Sequence, residues 1–265
     1  MLIAQLTDLH VTARGAQAFG QVDTNDALAR AVAHVAALPR RPDLVVVTGD
    51  VVNGPQPGEY AMAAELLAGL GLPLLIIPGN HDDRDDLRTA LRPLDPGLPE
   101  GPYLHRMVDT GPLRILALDT VVPGRPEGML DAPRLAWIAD RLAEAPHERP
   151  LLVLMHHPPF VSGIGHMDRM NCVGADALAG LLRGRTVAGL LCGHIHRPIA
   201  AHWRGIPCFC GPATAHLVAL DLEPESPARW TREPPAVALH LWDDAHGLRT
   251  HLSFIGDFPP TRFPG

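Results

Sequence analysis

Several large protein classes are excluded by what this chain lacks. No Cys-x-x-Cys pair occurs. The four cysteines, Cys172, Cys192, Cys208 and Cys210, are spaced neither as a zinc knuckle nor as a disulfide framework. Cys192, Cys208 and Cys210 sit in apolar runs, and all four read as reduced thiols of a cytoplasmic protein. Basic residues are not in excess: a formal net charge of −7 argues against a nucleic-acid polymer or an anionic membrane as a standing partner. No apolar run approaches the roughly 20 residues that span a bilayer. The opening MLIAQLTD has no basic region and no small-residue cleavage site, so no secretory signal is expected. Internal repeats and low-complexity tracts are missing as well. Aromatic residues are scarce at 5%, yet hydrophobic residues fill 46% of the 265 positions, enough for the core of one large α/β domain. Histidine is plentiful. Its count of 15 raises the chance of metal binding and equally the chance of accidental histidine motifs.

The stretch around which the chain is organised is Leu74–Asp82, LLIIPGNHD. A short apolar run bounded by Pro78 and Gly79 reads as a buried strand that stops abruptly. Open α/β sheets put their chemistry at such an edge. The event recurs. Leu2–Thr7 ends in Asp8-Leu9-His10, Leu44–Thr48 in Gly49-Asp50, Leu151–Met155 in His156-His157, and Val187–Cys192 in Gly193-His194-Ile195-His196. Between the first three strands lie two helical patterns. One is capped by Asp23 or Thr24 with Leu28, Ala31, Val32, Val35 and Leu38 on its apolar face, and the other runs from about Gly58 to Leu70. Two βαβ units imply parallel strands with right-handed crossovers. A hairpin is expected at Tyr103–Val108 and Leu113–Leu118, a loop at Phe160–Val173, and helices near Pro133–Ala143 and Ala175–Leu182. Beyond His196 come short strands without helices: Ile199–Trp203, Ile206–Cys210, Ala215–Leu220, Val237–Trp242 and Leu248–Phe254. Asp221–Pro235, rich in Pro, Glu and Arg, reads as an exposed excursion within a single domain of residues 1–265, suited to a lid or a dimer contact. A parallel half followed by an antiparallel half suggests two sheets face to face with helices outside.

The strand ends bring together oxygen and imidazole donors with no thiolate: Asp8, His10, Asp50, Asn80, His81, His156, His194 and His196. Such a mixture suits Mn²⁺, Fe²⁺, Co²⁺ or Zn²⁺. One ion needs four to six donors, so two ions sharing a carboxylate is the economical reading. Each piece alone is weak. Asp8 by itself is more often a cap, Asn80 after glycine a turn, and one His-x-His is expected by chance among so many histidines. Position does not choose between His156 and His157. The joint pattern is what carries weight.

Taken in order, DxH, GD, GNHD, HH before prolines, and GHxH resemble the five blocks of the calcineurin-like metallophosphoesterase superfamily. Asn53, the long Val11–Asp23 loop and Met167-Asp168 resemble its bacterial branch of class III cyclic-nucleotide phosphodiesterases and glycerophosphodiesterases. The resemblance implies a four-layer αββα sandwich of two mixed sheets. It implies that Asp8, His10 and His196 hold one divalent ion, that Asn80, His156 and His194 hold another, and that Asp50 bridges them together with a hydroxide. His81 would then be catalytic, facing the phosphoryl group as general acid rather than binding metal. The implied activity is hydrolysis of a small phosphodiester, either a glycerophosphodiester or a 3′,5′-cyclic nucleotide. Competing readings are a phosphomonoesterase of the same fold and a non-catalytic scaffold; a homo-oligomer, dimer or higher, is compatible with each reading. Candidate substrate contacts are Arg14, Phe19, Asn53, Met167 and His216. His34, His105, His147, His202, His240, His246 and His251 are assigned to surface or core.

Overall fold

In the computed structural model, residues 1–144 and 149–263 are described, so His147 lies outside the described residues. The first half of the chain forms β1 (Leu2–Leu6), α1 (Thr24–Ala36), β2 (Leu44–Thr48), α2 (Glu59–Ala68), β3 (Leu74–Ile77), α3 (Arg84–Leu91), β4 (Arg106–Asp109), β5 (Arg114–Ala117), β6 (Gly128–Met129) and α4 (Ala132–Glu144). There follow β7 (Leu151–Leu154), α5 (Gly165–Asp168), β8 (Cys172–Val173), α6 (Ala175–Leu182), β9 (Val187–Cys192), β10 (Ile199–Trp203), β11 (Ile206–Cys210), β12 (Leu217–Val218), β13 (Trp230–Thr231), β14 (Ala236–Asp243) and β15 (Gly247–Phe254).

Two sheets carry the architecture. One has the order β15-β14-β1-β2-β3, the other β10-β11-β9-β7-β5-β4. In the first, β1, β2 and β3 are parallel, as two βαβ units require, and β14 and β15 run antiparallel. In the second, β5, β7, β9 and β11 are parallel, and only the outer β4 and β10 are antiparallel. Alternation along each strand assigns side chains to layers. Val45, Val47, Leu74 and Ile76 face α1, α2 and α3, while Leu44, Val46, Leu75 and Ile77 face the second sheet. Across that interface, Leu152 and Leu154 meet them, and Leu151 and Val153 turn outward to the core shared with α4 and α6. The result is a helix–sheet–sheet–helix sandwich with three apolar layers.

The division of the chain differs from the expected parallel and antiparallel halves. Both sheets are mixed, as the resemblance implies: the first because the C-terminal hairpin β14–β15 returns to pair with β1, the second because β4 and β10 flank its parallel strands. Small differences occur elsewhere. The Phe160–Val173 loop contains α5 and the short β8, Ala215–Leu220 narrows to β12, and the excursion holds β13, which pairs with β12.

Candidate metal centre

Strands β1, β2 and β3 of one sheet and β7 and β9 of the other deliver their C-terminal ends to a common rim. The backbone there is strained. Asp8 (φ 51°), His10 (46°), Asp50 (50°), His194 (70°) and His196 (59°) all take positive φ, a region that few non-glycine residues enter and that persists where the surroundings enforce it. The surroundings are the neighbouring loops: Asp8 N–H donates to the Gly49 carbonyl (3.1 Å), His10 N–H to Asp50 (3.0 Å) and Gly193 N–H to His156 (3.0 Å). The approach is close enough that a Cβ on Gly79 would collide with the Asp50 carboxylate, and one on Gly49 with the His156 ring.

The side chains converge in two groups. Asp8, His10, Asp50 and His196 bring donor atoms within 4.8 Å of one another, all buried. Here His10 Nε2 and His196 Nε2 stand 3.1 Å apart, with Asp8 Oδ1 3.5 Å from His196 Nε2. In the second group, Asn80 Oδ1 lies 3.2 Å from His156 Nε2 and 3.0 Å from His194 Nδ1. Asp50 Oδ2 stands between the groups, 3.6 Å from His10 Nε2 and 3.4 Å from His156 Nε2.

Hydrogen bonds at the far ring nitrogens orient the imidazoles. His156 Nδ1–H donates to the Thr48 carbonyl (2.8 Å) and His196 Nδ1–H to the His216 carbonyl (3.0 Å), so in each ring Nε2 is the atom turned inward. His157 differs. Its Nε2–H donates to the Pro126 carbonyl (3.1 Å), and its Nδ1 accepts from the Thr120 hydroxyl (2.7 Å). Both nitrogens are engaged, and His157 also brings a nitrogen within 4.8 Å of donors on His156 and His194. His81 lies beside the donors, its ring edge-on to that of His10 with centroids 4.7 Å apart; its backbone N–H donates to Asp50 Oδ1 (2.9 Å) and its Nδ1–H to the Asn53 carbonyl (2.6 Å).

The electrostatics fit a cation. Burial, reinforced by crowding among imidazoles, lowers the pKa of His194 to about 3 and of His196 to about 4, and holds His10 well below its ordinary value. These rings are neutral and offer lone pairs. Burial raises Asp8 to about 7, with the Asp50 charge adding to the rise against the pull of His156. For Asp50 burial acts upward too, but the His156 charge outweighs it and the carboxyl sits well below the usual range. His156 answers in kind: burial would lower it, and the Asp50 carboxylate instead pushes it up to about 10. Two carboxyl groups, Asp8 and Asp50, are thus buried among imidazoles that are mostly neutral. A pair of lone-pair nitrogens 3.1 Å apart beside them is an arrangement that a divalent cation satisfies.

A cavity of about 480 Å³ opens over this rim. It is lined by His10, Asp50, Asn80, His81, His194 and His196 together with four of the expected substrate contacts, Phe19, Asn53, Met167 and His216. Arg14 is not among them. It is exposed and pairs with Glu65 (2.6 Å) on the outer surface, because the first loop folds back toward α2 before reaching the site. Two residues had escaped the sequence reading. Asp82, buried, accepts from the backbone N–H groups of Gly79, Val51 and Val52 and so fastens the Asp50 turn to the Asn80 turn. Its place at the end of GNHD was the available signal. Trp230, from the excursion, also lines the cavity, and only the rarity of tryptophan marked it.

A family model described as calcineurin-like phosphoesterase matches residues 1–198. A probable glycerophosphodiester phosphodiesterase of Arcobacter nitrofigilis is 36% identical over 260 residues, 97% of this chain and 94% of that protein. A probable cyclic nucleotide phosphodiesterase of Rhodopseudomonas palustris is 37% identical over 267 residues, covering 98% and 94%. Among solved structures, a Thermus thermophilus protein superposes with a TM-score of 0.54 at 15% identity, covering 87% of this chain and 98% of its own, a likeness of fold.

Proposed function

Because the chain belongs to the calcineurin-like phosphoesterase family, we propose that it is a metal-dependent hydrolase of small phosphodiesters that works with two divalent ions. Asp8, His10 and His196 would hold one ion and Asn80, His156 and His194 the other. Asp50 would serve both. The observation that carries this reading is the position of Asp50 Oδ2, within 3.6 Å of His10 Nε2 and 3.4 Å of His156 Nε2, each the head of a separate donor group. The donor set suits Mn²⁺, Fe²⁺, Co²⁺ or Zn²⁺.

When bound, such ions supply Lewis acidity and bring the pKa of water toward neutrality. The chain's own residues do the rest. The Asp50 carboxylate offsets cationic charge from a point shared by both groups. Asn80 contributes a neutral oxygen, which keeps negative charge low beside the second group. His81 supports the leaving group. Its Nδ1–H is engaged by Asn53, and its pKa is raised because the Asp50 charge and the Asn53 carbonyl outweigh burial. Its other ring nitrogen would then carry the proton that a departing alkoxide takes up, from a side chain that lines the cavity.

The relatives' names point to a glycerophosphodiester or a cyclic nucleotide as substrate. The same reading takes the chain as a single unit and, with its four cysteines free thiols, as a cytoplasmic protein. Among the described residues no helix is long and apolar enough to cross a membrane. The test is a panel of bis(p-nitrophenyl) phosphate, p-nitrophenyl phosphate, cyclic AMP and glycerophosphoethanolamine, each with Mn²⁺, Fe²⁺, Co²⁺ and Zn²⁺. Diester turnover that disappears on chelation and returns with metal is expected. Turnover of the monoester alone would replace the reading with a phosphomonoesterase.

A further inference from the structure

Phe19 sits in the first loop with 59% of its surface exposed, and its φ of 53° is one that bulky residues rarely adopt. Nothing in the core requires this. What the strained turn achieves is to set the Phe19 ring against Trp230, centroids 5.8 Å apart and planes 18° from parallel. His216 meets Phe19 edge-on at 5.2 Å and 88°. The three rings form one wall of the cavity that also holds Asp50, Asn80 and His81.

The wall is held by several tethers. Val218 pairs with Trp230, and Leu217 with Thr231. Arg197, the residue after His196, grips the Glu233 carboxylate through two bonds of 2.8 and 2.7 Å and donates to the Val218 carbonyl at 2.8 Å. Arg232 donates to the Gln21 carbonyl of the first loop (2.7 Å) and lies 5.6 Å from the Trp230 ring centre. On the far side, the Pro224 carbonyl rests against Gly165. A ring fixed in this way loses little entropy when a ligand stacks on it.

The rest of the lining decides what stacks there. Met167 and Met170 are soft and apolar, and the polar groups beyond the metal donors, His81 and His216 are Asn53, His166 and Arg229. Arg229 is already paired with Asp221 (2.5 Å). A glycerol group would leave the rings unused, whereas a flat π-system would cover them. Resting on the phosphodiesterase reading, we infer that Phe19 and Trp230 are specificity-determining residues that select phosphodiesters carrying a planar aromatic group, whether a nucleobase or a simple aryl ring.

The experiment holds the leaving group constant. Methyl, phenyl and thymidine 5′-esters of p-nitrophenyl phosphate are compared in wild type, Trp230→Ala and Trp230→Phe with Mn²⁺ present. In Trp230→Ala the phenyl-to-methyl ratio of kcat/KM should fall roughly 5- to 150-fold, the range expected for one lost stacking contact, with the change in KM rather than kcat. Trp230→Phe should restore most of it. A fall for thymidine alone, or for phenyl alone, identifies which aromatic source the wall serves. Equal losses for all three esters, or no change in both the phenyl-to-methyl and the thymidine-to-methyl ratios, would overturn the proposal. Calorimetric binding of diphenyl against dimethyl phosphate to the same proteins judges the wall independently of turnover. Preference for the diphenyl ester, lost in Trp230→Ala, supports the wall even if wild type hydrolyses no diester and the phosphodiesterase reading falls. Equal binding of the two esters by wild type counts against it.

Discussion

Where β3 ends, successive residues face different tasks. Asn80 Oδ1 is directed at His156 and His194, while His81 Nδ1–H is taken by the Asn53 carbonyl. Asn80→Ala should therefore weaken the second ion, whereas His81→Ala should leave metal content nearly unchanged and lower turnover by about 10²–10⁴. Elemental analysis beside steady-state rates separates the two. The His81 loss should be smaller for an activated p-nitrophenolate than for an alkoxide, and equal losses would remove the general-acid role. The adjacent histidines give a companion test. His157→Gln, whose side chain can keep bonds to Thr120 and Pro126, should retain both ions, and His156→Gln should not. Binding of fewer ions by His157→Gln would return His157 to the list of ligands. The donor types were legible in the sequence because strand ends recur with the same chemistry. The different surroundings of His156 and His157 were not, since their partners, Thr48 and Asn80 for one and Thr120 with Pro126 for the other, lie far away in the chain. Asp82 was hidden for a similar reason: its partners are backbone N–H groups of another loop.

At the scale of elements, the parts with long apolar runs were easy to read and the excursion was not. Its composition marks it as exposed; Leu222 is exposed, whereas Trp230 and Thr231 are half-buried. Yet its two-residue strand is too short for any periodicity, and what fixes it are long-range partners: Arg197 with Glu233, Arg232 with Gln21, Pro224 against Gly165. The last contact yields a clean prediction. A Cβ on Gly165 would lie 2.5 Å from the Pro224 carbonyl oxygen, closer than such atoms come, and the backbone there needs no positive φ. Gly165→Ala should thus push the excursion outward without straining its own turn. Tryptic cleavage at Arg229 and Arg232 should accelerate severalfold while metal content holds. Unchanged cleavage would mean that the α5 segment yields instead and the excursion is not seated on it.

For the whole molecule, the two-sheet sandwich followed from a parallel half succeeded by short antiparallel strands and from the family resemblance, but the closing of the first sheet by its C-terminal hairpin did not, because pairing β14 with β1 joins residues more than 200 positions apart. That closure buries a histidine. His240 Nε2 bonds to Gln5 Oε1 (3.0 Å), its Nδ1 to the Thr250 hydroxyl (2.8 Å), and Gln5 Nε2 reaches across to the Cys192 carbonyl of the second sheet (2.9 Å). Burial lowers the His240 pKa to about 3, against about 6.5 in the unfolded chain. Between those values the unfolded state binds a proton that the folded state refuses, so this group favours folding above pH 6.5 and that contribution is lost as pH falls. One such proton is worth about 1.4 kcal/mol of stability per pH unit once well inside the window. His240→Gln keeps a donor and an acceptor between Gln5 and Thr250 but cannot titrate. Urea unfolding of the chelated protein at pH 7.5, 6.0 and 5.0 should show the variant less stable than wild type at pH 7.5 and the gap narrowing steadily on acidification. The site histidines titrate in both proteins and cancel in the difference. A gap that stays constant over that range would show that His240 takes up its proton without cost, and that the join between the two ends of the chain is open to water.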